Sequence, residues 1–321
     1  MKFVRIILAA LVSSFPALGL AAQLLVLSKG DATLAFIDPA SGKTGATLPT
    51  GDGPHEIELS SDGQLAFVSN YGASASGNTL SVFDVKARKE QKRVDLAELR
   101  RPHGLTFSNG HLYFTSEESR RIARYEPVNQ RVDWTFSTGQ DGTHMVLASP
   151  DGTKLFTSNM GSNSISVIER GPAEEWQQTL IGVGAGPEGL DLSPDGRELW
   201  SAHSRDGGIS IIDVASRKVI HTFDANTKRS NRLKFTPDGQ FVLVSDLTAG
   251  ELVIFDARKR TERARLEMGR VPTGILIAPD GKRAYVAVSG ENRIAVVDLK
   301  TMSVLKTIAT GNGPDGMALV L

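Results

Sequence analysis

The sequence predicts an all-β fold: a seven-bladed β-propeller with four antiparallel strands per blade, its ring closed by pairing of the C-terminal strand with the N-terminal blade. Three observations carry this prediction. Asp-Gly or Asn-Gly pairs recur between short apolar runs, at Asp62-Gly63, Asn109-Gly110, Asp151-Gly152, Asp195-Gly196, Asp238-Gly239 and Asp280-Gly281. An anchor residue recurs seven times, at Pro54, Pro102, Thr143, Pro187, Ser230, Pro272 and Pro314, spaced 41 to 48 residues apart. Helical periodicity is nearly absent. The spacing matches the ~40–45 residues of a four-stranded propeller blade.

Each repeat reads the same way. After the anchor comes a short first strand, such as Ile57-Glu58-Leu59 or Leu190-Asp191-Leu192. The Asp-Gly pair then turns the chain, because these pairs are the strongest short-range hairpin signal. A second strand follows, such as Leu65-Ala66-Phe67-Val68 or Ala284-Tyr285-Val286-Ala287. The third strand ends in an acid, at Asp38, Asp84, Glu126, Glu169, Asp213, Asp256 and Asp298. A basic turn leads into the fourth, as in Lys218-Val219-Ile220-His221-Thr222-Phe223. At the start of the repeats, Leu24 to Leu27 reads as a second strand without a first. At the end, Gly313 to Leu319 reads as a first strand without a hairpin. The two fragments complete one blade and remove two sheet edges that would otherwise be exposed.

Composition narrows the function. The 321 residues carry 36 Lys and Arg against 36 Asp and Glu, so no basic surface for nucleic acid is expected. There is no Cys, which removes disulfides, iron–sulfur clusters, Cys-ligated zinc, covalent haem and a lipidated anchor. Lys2 and Arg5 precede the apolar stretch Ile6 to Leu20, which contains Ser13, Ser14 and Pro16 and ends in small residues. This pattern describes a secretory signal over residues 1–22, cleaved after Ala21 or Ala22. The stretch is shorter than the ~20 residues of a spanning helix. The expectation is a periplasmic or secreted monomer with no stable membrane anchoring and a single propeller domain over residues 22–321.

The cycle of Pro-x-Gly-Leu-x-Leu-Ser-Pro-Asp-Gly, a strand such as Phe67-Val68-Ser69-Asn70 or Tyr285-Val286-Ala287-Val288, and a run such as Ile209-Ser210-Ile211-Ile212-Asp213 resembles the YVTN-type propeller repeat. Ser69-Asn70-Tyr71-Gly72 and Pro54-His55 also resemble short stretches of the seven-bladed lactonase family. The first resemblance implies the fold. The second implies hydrolase or lyase chemistry of a lactonase-like kind.

In a propeller, the loops entering each first strand share a face with those linking second and third strands. The residue after each anchor is His55, His103, His144, Glu188, Asn231, Thr273 or Asp315. Three of the six histidines therefore occupy equivalent slots on consecutive blades. They are candidates for catalysis together with Glu188, as acid or base. His55, His103 and His144 are also a candidate zinc or copper set, since three imidazoles with an open position suit such ions. The alternative for these histidines is structural: repeat ancestry, with the rings capping the core between blades. The next slot holds Glu56, Gly104, Met145, Gly189, Arg232, Gly274 and Gly316. Its glycines predict a crowded channel neck, Arg232 is a candidate anion clamp and Glu56 a candidate ligand contact. Asn70, Asn159, His203 and Asp246, at the ends of second strands, are candidate rim contacts. Tyr71 to Asn78 is the longest loop of its class and reads as a flap or a tolerated insertion. The expected function is binding of a small ligand or divalent metal in the top-face funnel, with hydrolysis or elimination as the chemistry. The rival is a noncatalytic propeller that engages a periplasmic protein or redox partner.

Overall fold

The computed structural model describes residues 22–171 and 175–321. The segment read as an export signal lies outside the described residues, save Ala22. Seven four-stranded antiparallel sheets form the blades, and one 3-10 turn, Ser289–Glu291, is the sole helical element among the described residues. No helix among them is long and apolar enough to cross a membrane.

Each anchor is the first residue of an innermost strand: Pro54–Leu59, Pro102–Ser108, Thr143–Ala148, Pro187–Leu192, Ser230–Phe235, Pro272–Ile277 and Pro314–Val320. The predicted hairpins also form, in two ways. At Asn109-Gly110 both residues take positive φ (50° and 79°), and Ser108 pairs directly with His111. This is a two-residue type I′ turn. At Asp62-Gly63 only the glycine is left-handed (φ 67°). There Asp62 Oδ1 accepts from Ser60 Oγ at 2.6 Å and from the Gln64 amide at 3.0 Å, which pins a slightly longer loop. The recurring acids close the next turn: Asp84 accepts from the Ala87 amide and Asp213 from the Ser216 amide, both at 2.7 Å.

Second and third strands are covered on both faces by neighbouring blades. That is why Leu24, Leu25, Val26 and Leu27 are all buried in one strand and read as a continuous apolar run rather than an alternating one. The core consequently sits between blades. Trp200, Ile209 and Ile211 of one blade pack against Leu233, Val244 and Phe255 of the next. Fourth strands form the outer wall and alternate or stay exposed, as in Lys89–Asp95.

The ring closes as expected. Pro314–Val320 pairs antiparallel with Gln23–Ser28, with Leu24 opposite Leu319 and Leu25 opposite Ala318, followed by Thr33–Ile37 and Thr44–Pro49. The predicted neck is also present. A Cβ on Gly274 would lie 2.2 Å from the Asp315 carbonyl oxygen, and one on Gly316 would lie 2.5 Å from that of His55. Only glycine lets the innermost strands approach so closely.

Candidate functional site

All seven residues that follow the anchors line one funnel of about 520 Å³ at the top of the ring axis. His103, His144, Glu188, Asn231, Thr273 and Asp315 are buried, and His55 is partly buried. The strand entry places each slot at the same height, so residues 41 to 48 positions apart become neighbours around the axis.

The funnel has two unlike walls. On the first three blades, Tyr71 and three imidazoles form a ring stack. His55 lies 4.6 Å from Tyr71 and 5.1 Å from His103 between centroids, and His103 lies 3.9 Å from His144. Outside it, the Arg101 guanidinium covers the Tyr71 ring at 4.6 Å. On the remaining blades the wall is charged. Lys29 Nζ meets Asp315 Oδ2 at 2.9 Å, and Asn231 Nδ2 donates to Glu188 Oε1. Below them Arg232 pairs with Glu56.

This geometry differs from the expected zinc or copper set. Ligation at ~2.0–2.1 Å per nitrogen draws ring edges together, whereas the His103 and His144 rings overlap with centroids 3.9 Å apart at a tilt of 33°. Among the described residues, no three His, Cys, Asp or Glu side chains are grouped to hold a metal ion.

Burial lowers the His55 pKa to about 4 and, with help from neighbouring imidazoles, pushes that of His103 well below the usual range. Both rings are neutral at pH 7. The Gly53 carbonyl lies 3.0 Å from His55 Nδ1, and a carbonyl can only accept. Nδ1 therefore carries the proton and Nε2 is the acceptor. Burial raises the Tyr71 pKa to about 12, reinforced by the neighbouring Glu117 carboxylate. Burial opposes ionisation of Glu117, but the adjacent His144 and Tyr71 outweigh it and lower its pKa. Glu117 Oε2 stands 3.7 Å from His144 Nδ1.

The neutral imidazoles predict a pH effect. Unfolded, His55 and His103 titrate near pH 6.5; folded, they do not protonate until well below that. Their contribution to stability is thus complete above pH 6.5 and is lost as pH falls towards about 4. Urea midpoints measured between pH 7.5 and 4.5 should fall through this window, less steeply in His103→Gln. A flat profile would refute neutral burial.

Four rim candidates hold the framework instead. Asn70 accepts from the Gly51 amide at 3.0 Å and donates to Thr79 and Ser81. Asn159 donates to Ser164 and Ser166. Asp246 accepts from the amides of Arg229, Thr248 and Ala249. His203, whose pKa burial lowers, pairs with Asp206 at 3.0 Å. These four end their strands, and Asn70 and Asp246, for example, stand opposite the anchors Pro54 and Ser230. The funnel is lined by the next residue along: Tyr71, Glu117, Met160, Leu247 and Lys29. Successive side chains in a strand face opposite ways, so a shift of one position exchanges a framework residue for a lining one. Glu56, likewise, is taken by Arg232 rather than presented to the funnel.

Ten buried side-chain polar atoms lack a hydrogen-bond partner among the described residues, and seven of them line this funnel. They are His103 Nδ1, both nitrogens of His144, Glu117 Oε2, Glu188 Oε2, Asn231 Oδ1 and Asp315 Oδ1.

No protein-family model matches the sequence. Antigen Lp49 of Leptospira interrogans is 27 % identical over 195 residues, 54 % of this chain and 42 % of that protein. YncE of Salmonella typhimurium is 25 % identical over 169 residues, 51 % of this chain and 47 % of that protein. The chain thus spans about half the length of these relatives. The β subunit of hydrazine synthase from Kuenenia stuttgartiensis is 25 % identical over 303 residues, 86 % of this chain and 76 % of that subunit. Among solved structures, a hydrazine synthase chain from that organism aligns with a TM-score of 0.69 at 22 % identity, over 82 % of this chain and 88 % of its own. A putative 6-phosphogluconolactonase from Bacteroides fragilis aligns with a TM-score of 0.74 at 18 % identity, over 96 % of this chain and 100 % of its own. At these identities the likeness of structures speaks for the fold, which is shared by proteins of different function.

Proposed function

We propose that this chain is an exported propeller of the YVTN type that binds a small polar molecule in the top-face funnel and hydrolyses an ester-like bond in it, as a lactonase does. The observation that carries this reading is the gathering of seven unpartnered buried polar atoms in one cavity. Buried polar groups are ordinarily satisfied, so a cluster of exceptions in a concave site marks where a ligand supplies the partners.

The chemistry follows from His144 and Glu117. With its Nδ1 proton turned to Glu117, His144 has Nε2 free to take a proton from water. The water oxygen bonds to the lactone carbonyl carbon, the ring C–O bond breaks, and the proton returns to the departing oxygen. One lactone and one water give one hydroxy acid. Lys29 lines the same space, and its ammonium, one contact of which is held by Asp315, has further N–H donors to stabilise the charge that develops on the carbonyl oxygen.

The purified chain, assayed on neutral, amino-substituted and phosphorylated lactones, should hydrolyse at least one of them. His144→Asn should lower kcat about 10²–10⁴-fold, the range for loss of a general base. Turnover of none of them would overturn the catalytic step. A second reading, a noncatalytic subunit, is favoured by the similarity to a hydrazine synthase subunit over most of both chains. It expects no turnover and a stoichiometric complex with another exported protein.

A further inference from the structure

We propose that the funnel's ligand carries a protonated amine, received by Glu188, Asn231 and Asp315. The inference rests on the funnel being a ligand site and adds the charge of what enters it. Each of these residues is buried, lines the funnel and presents one oxygen without a partner. The remaining atoms explain why these oxygens are free. Glu188 Oε1 accepts from Asn231 Nδ2, which fixes the amide so that Asn231 Oδ1 can only accept. Asp315 Oδ2 is held by Lys29, leaving Oδ1. An ammonium has three N–H donors, matching three acceptors contributed by the fourth, fifth and seventh slots.

The charges favour a cation over an anion. Arg232, the buried cation that could clamp an acid, is already paired with Glu56. Lys29 is paired with Asp315. Glu188, in contrast, has no cation within ion-pair distance among the described residues, and a buried carboxylate is costly until it gains one. Across the funnel, the ring stack of His55, His103 and Tyr71 adds polarisable faces beside which an organic cation is tolerated. The unfilled capacity of the buried part of the charged wall is therefore for donors; Arg229, which also lines the funnel, is solvent-exposed rather than buried among these acceptors.

The test compares two nearly isosteric lactones on the full chain by calorimetry at pH 6. Homoserine lactone bears an α-amino group, protonated there since such groups titrate near pH 7.7–8.0; γ-butyrolactone has none. Homoserine lactone should bind about tenfold or more tightly, as expected for charge-assisted hydrogen bonds. Glu188→Gln should abolish the difference. Asn231→Ser, which keeps the carboxylate, should reduce it and serves should Glu188→Gln fail to fold. Equal affinities, or tighter binding of 6-phosphogluconate than of homoserine lactone, would overturn the amine while leaving the small-ligand site standing. Binding of none of the three in the funnel would overturn both.

Discussion

Arg232→Met should lower the unfolding free energy by about 3–5 kcal/mol at pH 7, the usual consequence of leaving one member of a buried ion pair without its partner. Arg232 is 5 % exposed, and its guanidinium holds the Glu56 carboxylate across the channel neck. Burial already raises the pKa of Glu56, with Arg232 as the largest opposing influence. Without it, Glu56 will fold most readily as the neutral acid. A carboxyl whose folded pKa lies above its unfolded value contributes fully below the unfolded value and loses that contribution as pH rises. The deficit of Arg232→Met should therefore be smaller at pH 5 than at pH 7. The double variant Glu56→Leu, Arg232→Met removes both charges and should recover most of the loss, since an apolar replacement of a buried pair is often neutral or better. Urea denaturation at the two pH values measures all of this. A single variant within 1 kcal/mol of the parent at pH 7 would refute a pair that matters to the fold.

That pair also shows where the sequence stops being informative. The blades were legible because their signals are local: an Asp-Gly turn, an acid that closes the next turn, an anchor at each strand entry. The ring of His55, His103, His144, Glu188, Asn231, Thr273 and Asp315 was legible because a repeat converts a fixed offset into a shared height. Glu56 and Arg232 are 176 residues apart, and nothing local couples them. They meet because closure brings the neck of one blade across from another. Asn70, Asn159 and Asp246 stand one position before the lining residues Tyr71, Met160 and Leu247, and neither His203 nor Ser204 lines the funnel. Polar strand ends look alike in sequence whether they face the loop framework or the axis, and only the register against the anchors decides. Lys29 likewise lies one residue beyond a second-strand end, Ser28. Glu117 reaches the funnel because its strand stops one residue earlier, at Ser116.

Removal of the strand Pro314–Val320, by ending the chain at Gly313, should abolish cooperative thermal unfolding. The strand supplies the innermost position of the closing blade through its pairing with Gln23–Ser28. With no Cys in the chain, that pairing is the clasp of the ring. Its loss would expose the backbone of Gln23–Ser28 at the channel, uncover the apolar contacts of Met317 and Ala318, and leave Lys29 without Asp315. It would also strip the Pro314 carbonyl from Thr273 and Ser289, loosening the adjacent blade. These losses act together, and a domain's net stability is only about 5–15 kcal/mol. A peptide spanning residues 314–321, added in excess, should restore a cooperative transition with a midpoint that rises with peptide concentration, as mass action requires. The milder change Ala318→Pro, which removes a ladder amide opposite Leu25, should lower the midpoint without abolishing the transition. Were the truncated chain to melt at the parental temperature, strand pairing could not be what closes the ring. The funnel, half of whose charged wall hangs on Asp315 and Lys29, would then have to be held by the other six blades alone.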